Sequence, residues 1–339
     1  MKAAVMDSVG RPLAIRDIPV PAIAADEVLV RTQTTGICGT DLHILDGHGY
    51  VPPLPHVLGH EPAGTIAAVG SAVHGWKEGD RIVPSLFFTC GNCRYCRAGR
   101  HQQCAKLKGI LGVLVPGAMA EYFKVPAENL FCLPDSVSFD VGGLIADAVV
   151  TATRAASRGA VAAGGRALVI GTGGVGLCLL QLLVSAGVRV VAADIRREAL
   201  QAARAMGAEK CFLVGPELAQ ALEANADEDP IECAFDCVGS TQTLSQACKL
   251  VMNGGRVVVI GEHGDTLPVT STAIAQRELE IVGSRNGTRQ DMAEAIRLVE
   301  EGKVRPPIAA RYPLEKVNEA LQQLRAGATG RIVVQVANH

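Results

Sequence analysis

The segment CGNCRYCRAGRHQQC carries four cysteines, Cys90, Cys93, Cys96 and Cys104, at the spacing C-x2-C-x2-C-x7-C. This spacing is typical of a metal knuckle in which four thiolates surround one zinc ion. Four protein ligands fill the tetrahedral coordination of zinc and leave no position for a substrate. The segment therefore predicts a structural zinc site that holds a polar, turn-rich lobe at about 88–106 in shape. A pair of disulfides is the alternative, and a reducing compartment disfavours it.

A second group of candidate ligands lies earlier in the chain, in ICGTDLH and LGHEPAG. Cys38 supplies a soft thiolate and His60 an imidazole, two of the three protein ligands that a catalytic zinc ion usually has. Such a site keeps one coordination position open for a substrate. Taken alone, a histidine such as His60 is more often structural than a ligand, so the zinc hypothesis depends on reading the two segments together.

A glycine-rich turn, GTGGVG, follows the apolar run RALVI and precedes the apolar stretch VGLCLLQLLVSAG. In this setting the pattern G-x-G-x-x-G predicts a dinucleotide site. Gly171 permits the tight turn, Gly173 lets the backbone approach a pyrophosphate, and Gly176 allows close helix–strand packing. Backbone amides at the helix N-terminus would stabilise the phosphate charge. The predicted phosphate-binding residues are Gly171, Gly173, Gly174, Val175 and Gly176.

Asp194 closes the next strand and is the candidate ribose ligand of this site. Its carboxylate would accept hydrogen bonds from the adenosine ribose hydroxyls and repel a 2′-phosphate, which favours NAD over NADP. Arg196 and Arg197 follow directly and could bind that phosphate, so NADP stays the less favoured alternative. A glycine-rich turn that merely packs is the other interpretation of the motif.

The two halves of the chain differ in the elements that would carry these residues. In 1–147, short β-like runs such as EVLVRT, GTIAAVG and EYFKVP are broken by Gly and Pro, which indicates an all-β domain. In 148–284, buried apolar strands alternate with amphipathic helices, which predicts a doubly wound parallel sheet. Helices at about 289–301 and 315–326 and the strand GRIVVQV follow, and we expect the segment 285–339 to return to the first domain.

The bulk composition narrows the class of protein. A chain of 339 residues suits two domains. The net charge of −2 does not indicate a binding surface for nucleic acid or an anionic membrane. No apolar run reaches the length of a membrane span. Eleven cysteines in a long chain whose start, MKAAVMDSVG, lacks a signal-peptide pattern indicate a reducing cytosol. We therefore expect a cytoplasmic protein without nucleic-acid or membrane partners.

Read together, CGTDLH, GHE, the four-cysteine lobe, GTGGVG and the final GRIVV follow one another as in the zinc-containing medium-chain alcohol dehydrogenases. The chain resembles this family over essentially its whole length. The resemblance implies an α/β protein with a GroES-like, β-rich catalytic domain and a Rossmann domain. It also implies two zinc ions per chain, NAD as cofactor, a small alcohol or carbonyl substrate, and a homotetramer, with a dimer as the alternative.

The resemblance also assigns the catalytic metal site. Cys38 and His60 are zinc ligands, and Asp41 is a carboxylate that orients His60. Glu61 matches a glutamate that lies beside the metal and can approach it when ligands exchange. The third ligand is Asp147 in GGLIADAVVT, where many relatives have cysteine and some bacterial secondary-alcohol dehydrogenases have aspartate. Carboxylate oxygen is an acceptable zinc ligand.

Two alternatives to this ligand set stay open. Glu61 rather than Asp147 could complete the site, and Asp147 could be a helix-capping or polar core residue. Polyol and sugar dehydrogenases of the family recruit a glutamate elsewhere in the site.

The reaction implied is hydride transfer between an alcohol and NAD, giving a ketone or an aldehyde. The resemblance gives Thr40 the hydrogen bond to the alcohol oxygen. It gives His43 the last step of a proton path that runs through the cofactor ribose to solvent. Histidine suits that step because its usual pKa lies near neutral pH. The alternative is that His43 is a surface histidine without a role.

Three further cofactor contacts follow from the resemblance. Thr151 would pack on the nicotinamide, backbone groups of Ile260 would meet the carboxamide, and Arg331 in GRIVV would contact the pyrophosphate. We expect the remaining cysteines in the core, since buried cysteine behaves as a small apolar residue: Cys132, Cys178, Cys211, Cys233, Cys237 and Cys248. We expect the remaining histidines on the solvated surface: His48, His56, His74, His101 and His263.

Rival functions come from the same family and from another class. Polyol, sugar and hydroxyacyl-thioester dehydrogenases share the motifs. Zinc-free quinone and enoyl reductases also belong to the wider family, but they have no need of Cys38, His60 or the Thr40–His43 pair. A non-catalytic dinucleotide-binding protein would have no use for the complete proton path.

Overall fold

The computed structural model describes residues 1–223, 228–267 and 269–337. These residues form two compact units. The first unit consists of Met1–Val150, Gly287–Glu301 and Ile308–His339. The second unit consists of Thr151–Asn286 and Gly302–Pro307. The expected domains 148–284 and 285–339 include residues that lie outside the described ones, namely 224–227, 268 and 338–339.

Strands dominate the first unit, and strands and helices alternate in the second. Over the described residues, the strands are β1 (Lys2–Met6), β2 (Ala14–Asp17), β3 (Glu27–Ile37), β4 (His56–Val57), β5 (Glu61–Val69), β6 (Arg81–Pro84), β7 (Phe87–Phe88), β8 (Gly109–Ile110), β9 (Tyr122–Pro126), β10 (Leu130–Cys132), β11 (Arg166–Ile170), β12 (Arg189–Asp194), β13 (Lys210–Leu213), β14 (Ile231–Asp236), β15 (Val251–Val259), β16 (Glu280–Gly283), β17 (Ile308–Pro313) and β18 (Arg331–Gln335).

The α-helices over the same residues are α1 (Gly39–Leu45), α2 (Arg94–Arg97), α3 (Phe139–Leu144), α4 (Val150–Gly159), α5 (Gly174–Ser185), α6 (Arg197–Ala205), α7 (Pro216–Glu223), α8 (Thr241–Leu250), α9 (Ser271–Arg277), α10 (Arg289–Glu300) and α11 (Val317–Ala326). A turn of π-helix, Ile145–Val149, joins α3 to α4. Within the described part of the chain, no helix has the length and apolarity needed to span a lipid bilayer.

The first unit is built on a seven-stranded sheet of order β10-β6-β5-β3-β18-β17, with β9 paired to β3. Smaller sheets, β2-β1-β4 and β7-β8, accompany it. β3 is its longest strand and alternates buried residues such as Val28, Val30 and Thr32 with more exposed ones, as a half-buried strand does. The C-terminal strand β18 pairs with β3, so the end of the chain completes a sheet that the beginning of the chain starts.

Three strand ends meet at one edge of this sheet. Gly36, near the end of β3, is in register with Glu61, the first residue of β5, and with Val333 on β18. Both neighbours are antiparallel to β3, so the starts of β5 and β18 lie beside the end of β3. Cys38 follows this end directly, and Arg331 begins β18. The topology therefore brings Cys38, Glu61 and Arg331 to the same edge.

The second unit contains a six-stranded parallel sheet of order β13-β12-β11-β14-β15-β16. The order reverses at β11, whose neighbours are β12 and β14, which is the doubly wound arrangement. Its central strand β11 is buried at every position because both faces of the sheet are covered there, and Leu168, Ile170 and Val191 are fully buried. Ligands of such sheets bind outside the carboxyl ends of the strands at the reversal, where GTGGVG follows β11.

The predicted α/β architecture of two unlike parts is confirmed. The helices expected at 289–301 and 315–326 are α10 and α11, with Leu314–Lys316 forming a 3-10 turn before the latter. Two short helices, α7 and α9, lie between consecutive strands of the parallel sheet, in line with the expected alternation of strands and helices.

Two expectations about burial are wrong. His56 is 1% exposed rather than on the surface, because it pairs with Met6 in the β1–β4 ladder and its side chain is enclosed there. Cys132 is exposed rather than in the core, because it ends β10, an edge strand of the seven-stranded sheet. Both strands are too short for an alternation of apolar and polar residues to indicate which side chains face the core.

Candidate active site and metal centres

Four potential metal ligands converge in the first unit: Cys38, His60, Glu61 and Asp147. One ligand atom from each lies within 4.8 Å of the others. Cys38 and Glu61 come from the sheet edge, and His60 immediately precedes β5. Asp147 lies in the π-helical turn, a local widening of the helix that often occurs at functional sites.

The chemistry of this group fits zinc. Cys38 Sγ lies 3.6 Å from Asp147 Oδ2. A thiolate, an imidazole and a carboxylate are all zinc ligands, and three of them leave one position for a substrate. Glu61, fully buried in the same group, supplies a fourth possible oxygen ligand.

Asp41 lies beside His60. Its Oδ2 accepts a hydrogen bond from the backbone N–H of Cys38 at 2.9 Å, which caps α1. Its Oδ1 lies 3.3 Å from Nδ1 of His60. With Nδ1 directed at Asp41, Nε2 is the ring nitrogen available to a metal ion. The structure thus places Asp41 where the resemblance assigns the orienting carboxylate.

Burial and neighbouring charges shift the pKa values of the residues in this group. Burial lowers the pKa of His60, but Asp41 and Cys38 outweigh it and raise the pKa well above the usual range. Burial raises the pKa of Glu61 well above its usual range. Burial also raises the pKa of the Cys38 thiol, but Arg331 and His60 bring it below its ordinary value. Zinc binds thiolate, neutral imidazole and carboxylate, so binding of the ion at this group would release protons.

Arg331 lies in this same group rather than apart from it. Its Nη2 is 2.8 Å from Glu61 Oε1 and 3.1 Å from Asp147 Oδ2. This contact was not predicted from the sequence, since the family resemblance assigned Arg331 only to the pyrophosphate. Arg331 begins β18 and Glu61 begins β5, and both strands pair with β3. Knowledge of this strand pairing would have been needed to predict that the two side chains meet. The predicted pyrophosphate contact stays a prediction.

Thr40 and His43 both lie on α1, one turn apart and therefore on one face of the helix. Thr40 Oγ1 is 3.8 Å from Cys38 Sγ, at the metal group. His43 is exposed to solvent. The helix thus carries one residue near the metal group and one exposed residue, and the predicted proton path stays a prediction.

The four-cysteine lobe forms the second potential metal centre. Its Sγ atoms are 3.5 Å (Cys93–Cys96), 3.6 Å (Cys90–Cys104) and 4.0 Å (Cys90–Cys96 and Cys93–Cys104) apart. Sulfurs around a tetrahedral zinc ion with bonds of about 2.3 Å are roughly 3.8 Å apart, so the spacing fits zinc. All eleven cysteines lie within the described residues, and no disulfide joins any of them.

One thiol of the lobe is prepared for a metal by the backbone. Hydrogen bonds from the backbone of Cys96 and then Ala105 lower the pKa of Cys93 to about 6. The thiolate, which is the form that binds zinc, therefore predominates at neutral pH.

The glycine-rich turn has the geometry that a pyrophosphate site needs. Gly171 has a φ of +88°, which favours glycine. A Cβ built on Gly176 would lie 1.9 Å from the carbonyl oxygen of Gly171, so a side chain there would separate the helix from the turn. Among the described residues, no atom lies within 4 Å of a Cβ built on Gly173. Gly174 and Val175 begin α5, whose N-terminus points its amides out of the turn.

Asp194 ends β12 beside this turn and is 6% exposed. Its Oδ2 accepts hydrogen bonds from the backbone N–H of Thr172 at 2.7 Å and from Thr172 Oγ1 at 3.0 Å. Its Oδ1 accepts one from the backbone N–H of Arg196 at 3.0 Å and lies 3.6 Å from Nε of that arginine. Thr172 therefore positions the carboxylate, a role that was not predicted although Thr172 lies inside the motif.

Two other predicted cofactor residues also belong to the second unit. Thr151 is buried in α4. Ile260 directly follows β15, and its N–H donates to the carbonyl of Asp236 at 2.9 Å. Asp236, at the carboxyl end of β14, accepts hydrogen bonds from the backbone N–H groups of Val238 and Gly239 and shapes the neighbouring loop. In the sequence, Asp236 could have been noticed as an aspartate at the end of a mostly apolar strand.

Comparisons with known proteins show the family of this chain. The chain matches the family description "Alcohol dehydrogenase GroES-like domain" over residues 24–135 and "Zinc-binding dehydrogenase" over residues 174–301. An alcohol dehydrogenase of Geobacillus stearothermophilus is 33% identical over 340 residues, which cover 99% of this chain and 100% of that protein. The chain belongs to the zinc-containing medium-chain alcohol dehydrogenase family.

Two other alcohol dehydrogenases extend this similarity. An NAD-dependent alcohol dehydrogenase of Sulfolobus acidocaldarius is 30% identical over 99% of this chain and 100% of its own. The crystal structure of the alcohol dehydrogenase of Aeropyrum pernix superimposes with a TM-score of 0.93 at 29% identity, over 99% of this chain and 100% of that one. As a family member the chain is a zinc-dependent oxidoreductase that acts on alcohols, with a nicotinamide dinucleotide as cofactor.

Proposed function

We propose that this alcohol dehydrogenase transfers a hydride between a secondary or primary alcohol and NAD, at a zinc ion held by Cys38, His60 and Asp147. The observation that carries the proposal is the convergence of these three side chains, with Glu61, to within 4.8 Å. The position of Asp147 beside Cys38 supports a ligand role over capping, since the π-helical turn directs its carboxylate at the thiol.

When bound, zinc supplies a Lewis acid that lowers the pKa of the alcohol hydroxyl, and NAD accepts the hydride. The chain itself manages the proton. Thr40, close to Cys38, would accept the proton from the alcohol oxygen as its hydroxyl gives up its own proton, and the exposed His43 would return a proton to solvent. Asp41 keeps His60 in one ring orientation.

The preference for NAD rests on Asp194. Its carboxylate is held by Thr172 at the end of β12, where the adenosine ribose of a dinucleotide binds in doubly wound sheets. A negative charge at that position attracts ribose hydroxyls and repels a 2′-phosphate.

A second zinc ion belongs in the four-cysteine lobe, where it holds the shape of the lobe. The tetrahedral spacing of the four sulfurs supports this assignment. Eleven cysteines without a disulfide fit the reducing cytoplasm that we propose as the location. A homotetramer is part of the proposal through the family resemblance.

The test is the zinc content per chain, measured by elemental mass spectrometry, together with NAD reduction by a panel of alcohols. We expect two zinc ions in the wild type and one in each of two variants, Asp147→Ala and Cys104→Ser. Asp147→Ala should abolish alcohol oxidation, whereas Cys104→Ser should lower the Tm through loss of the lobe ion. One zinc ion in both wild type and Asp147→Ala, with no alcohol oxidised, would refute the proposal and direct attention to enoyl and quinone reduction.

A further inference from the structure

We propose that Arg331 sets the metal affinity of the active site by competing with the zinc ion for the carboxylates of Asp147 and Glu61. Arg331 is thus a positioning residue that keeps the catalytic ion exchangeable. The inference rests on the proposed zinc site of Cys38, His60 and Asp147, and it adds a regulator of that site.

The competition follows from a single oxygen atom. Asp147 Oδ2 lies 3.6 Å from Cys38 Sγ and 3.1 Å from Arg331 Nη2. It therefore faces the prospective metal ligands and the guanidinium at once. An oxygen that shares its electron density with a buried cation is a weaker ligand for a second cation.

Glu61 decides how strongly Arg331 engages Asp147. The same Nη2 atom lies 2.8 Å from Glu61 Oε1. The Glu61 side chain is fully buried and that of Arg331 is 7% exposed, so little solvent screens the pair. Because Arg331 Nη2 interacts with both residues, its contact with Glu61 weakens its interaction with Asp147.

A count of charges gives the direction of the effect. The Cys38 thiolate and the Asp147 carboxylate would bring two negative charges to the zinc ion, which balance its own charge. The Arg331 guanidinium, 3.1 Å from Asp147 Oδ2, adds a further positive charge beside the ion and repels it. Removal of the guanidinium must therefore strengthen metal binding, whereas a merely structural arginine would weaken it when lost.

The experiment measures zinc affinity in the full-length chain by competition with a chromophoric chelator, and the ion of the four-cysteine lobe serves as internal reference. Arg331→Gln should bind the catalytic zinc ion at least about tenfold more tightly than the wild type, a factor equivalent to about 1.4 kcal/mol. Zinc should also raise the Tm of Arg331→Gln by more than it raises that of the wild type.

A second pair of variants keeps the test valid if Arg331→Gln does not fold. Glu61→Gln and Glu61→Gln/Arg331→Gln differ only at Arg331, and the double variant leaves no uncompensated half of the ion pair. The double variant should bind the catalytic ion at least about tenfold more tightly than Glu61→Gln. Equal or weaker binding in either comparison would overturn the inference.

Arg166→Gln is the matched control. Arg166 is also a buried arginine, 2.9 Å from Asp229, but it belongs to the second unit. Its loss should lower the Tm equally with and without zinc and leave the zinc affinity unchanged. A wild type without a second zinc ion would instead refute the proposed site itself, so the two failures are distinguishable.

Discussion

The carboxylate of Glu61 occupies the space in which a side chain at Gly36 would lie. A Cβ built on Gly36 would be 2.0 Å from Glu61 Oε2 and 2.7 Å from Leu144 Cδ2. Gly36 and Glu61 are cross-strand neighbours on β3 and β5. The absence of a side chain on one strand therefore creates the room that the other strand fills with a charged group beside the metal ligands.

Gly36→Ala should destabilise the chain, because the methyl group would force Glu61 and Leu144 out of a packed environment. Overpacking of this kind costs about 1–3 kcal/mol, and thermal unfolding would register it as a lower Tm. Gly39→Ala is the control, since none of the described atoms lies within 4 Å of a Cβ at Gly39. An equal Tm for the two variants would contradict the close packing of Glu61 on Gly36.

Asp41→Asn should weaken zinc binding at the active site. The amide keeps the size of the side chain and can still accept the hydrogen bond of the Cys38 N–H, but it loses the negative charge beside His60. Loss of such a partner typically lowers metal affinity by roughly 10–100-fold, and chelator competition would measure the change. Asp46→Asn removes a surface ion pair with Arg325 near the same helix and should leave the affinity as it is. Wild-type affinity in Asp41→Asn would show that Asp41 does not orient the ligand.

Asp194→Ser should shift the cofactor preference toward NADP. The substitution removes the charge that repels a 2′-phosphate, and it releases the guanidinium of Arg196, which lies 3.6 Å from that carboxylate. We expect the ratio of kcat/KM for NADP to that for NAD to rise at least about tenfold. The double variant Asp194→Ser/Arg196→Gln should lose most of this gain. An unchanged ratio in Asp194→Ser would mean that the ribose binds elsewhere.

His56 should make the folded state less stable in acid. Burial lowers the pKa of His56 below its ordinary 6.5. Above that pH the ring is neutral in the folded and unfolded chains alike. As the pH falls below 6.5, the unfolded chain takes up a proton that the folded chain resists, so the free energy of unfolding decreases.

The measurement for His56 compares the Tm at about pH 7.5 and about pH 5.5. The wild type should lose more Tm on acidification than His56→Gln, which has no ring to protonate. The exposed His48 provides the control, and His48→Gln should lose as much as the wild type. A loss in His56→Gln equal to that of the wild type would exclude His56 as the source.

The four-cysteine lobe, the glycine-rich turn and the parallel sheet could be predicted from the sequence because their motifs are local. The four cysteines of the lobe fall within fifteen residues, and GTGGVG lies between a strand and a helix that its neighbours already predict. Each glycine of that turn has a role set by backbone geometry within a few residues, and the structure shows the positive φ of Gly171 and the close approach of Gly176. Alternating strands and helices likewise determined the doubly wound sheet.

The relationships around the active site depend instead on which strands pair. Glu61, Gly36 and Arg331 are far apart in the chain, and they meet because β5 and β18 flank β3 in antiparallel register. No sequence period encodes that register, so only the tertiary structure could place Arg331 between Glu61 and Asp147. The same holds for buried His56 and exposed Cys132, since a two- or three-residue strand is too short to show which side faces the core. The family, the fold class and the candidate ligands thus follow from local motifs, whereas the packing of distant strands decides which charged groups share one buried space.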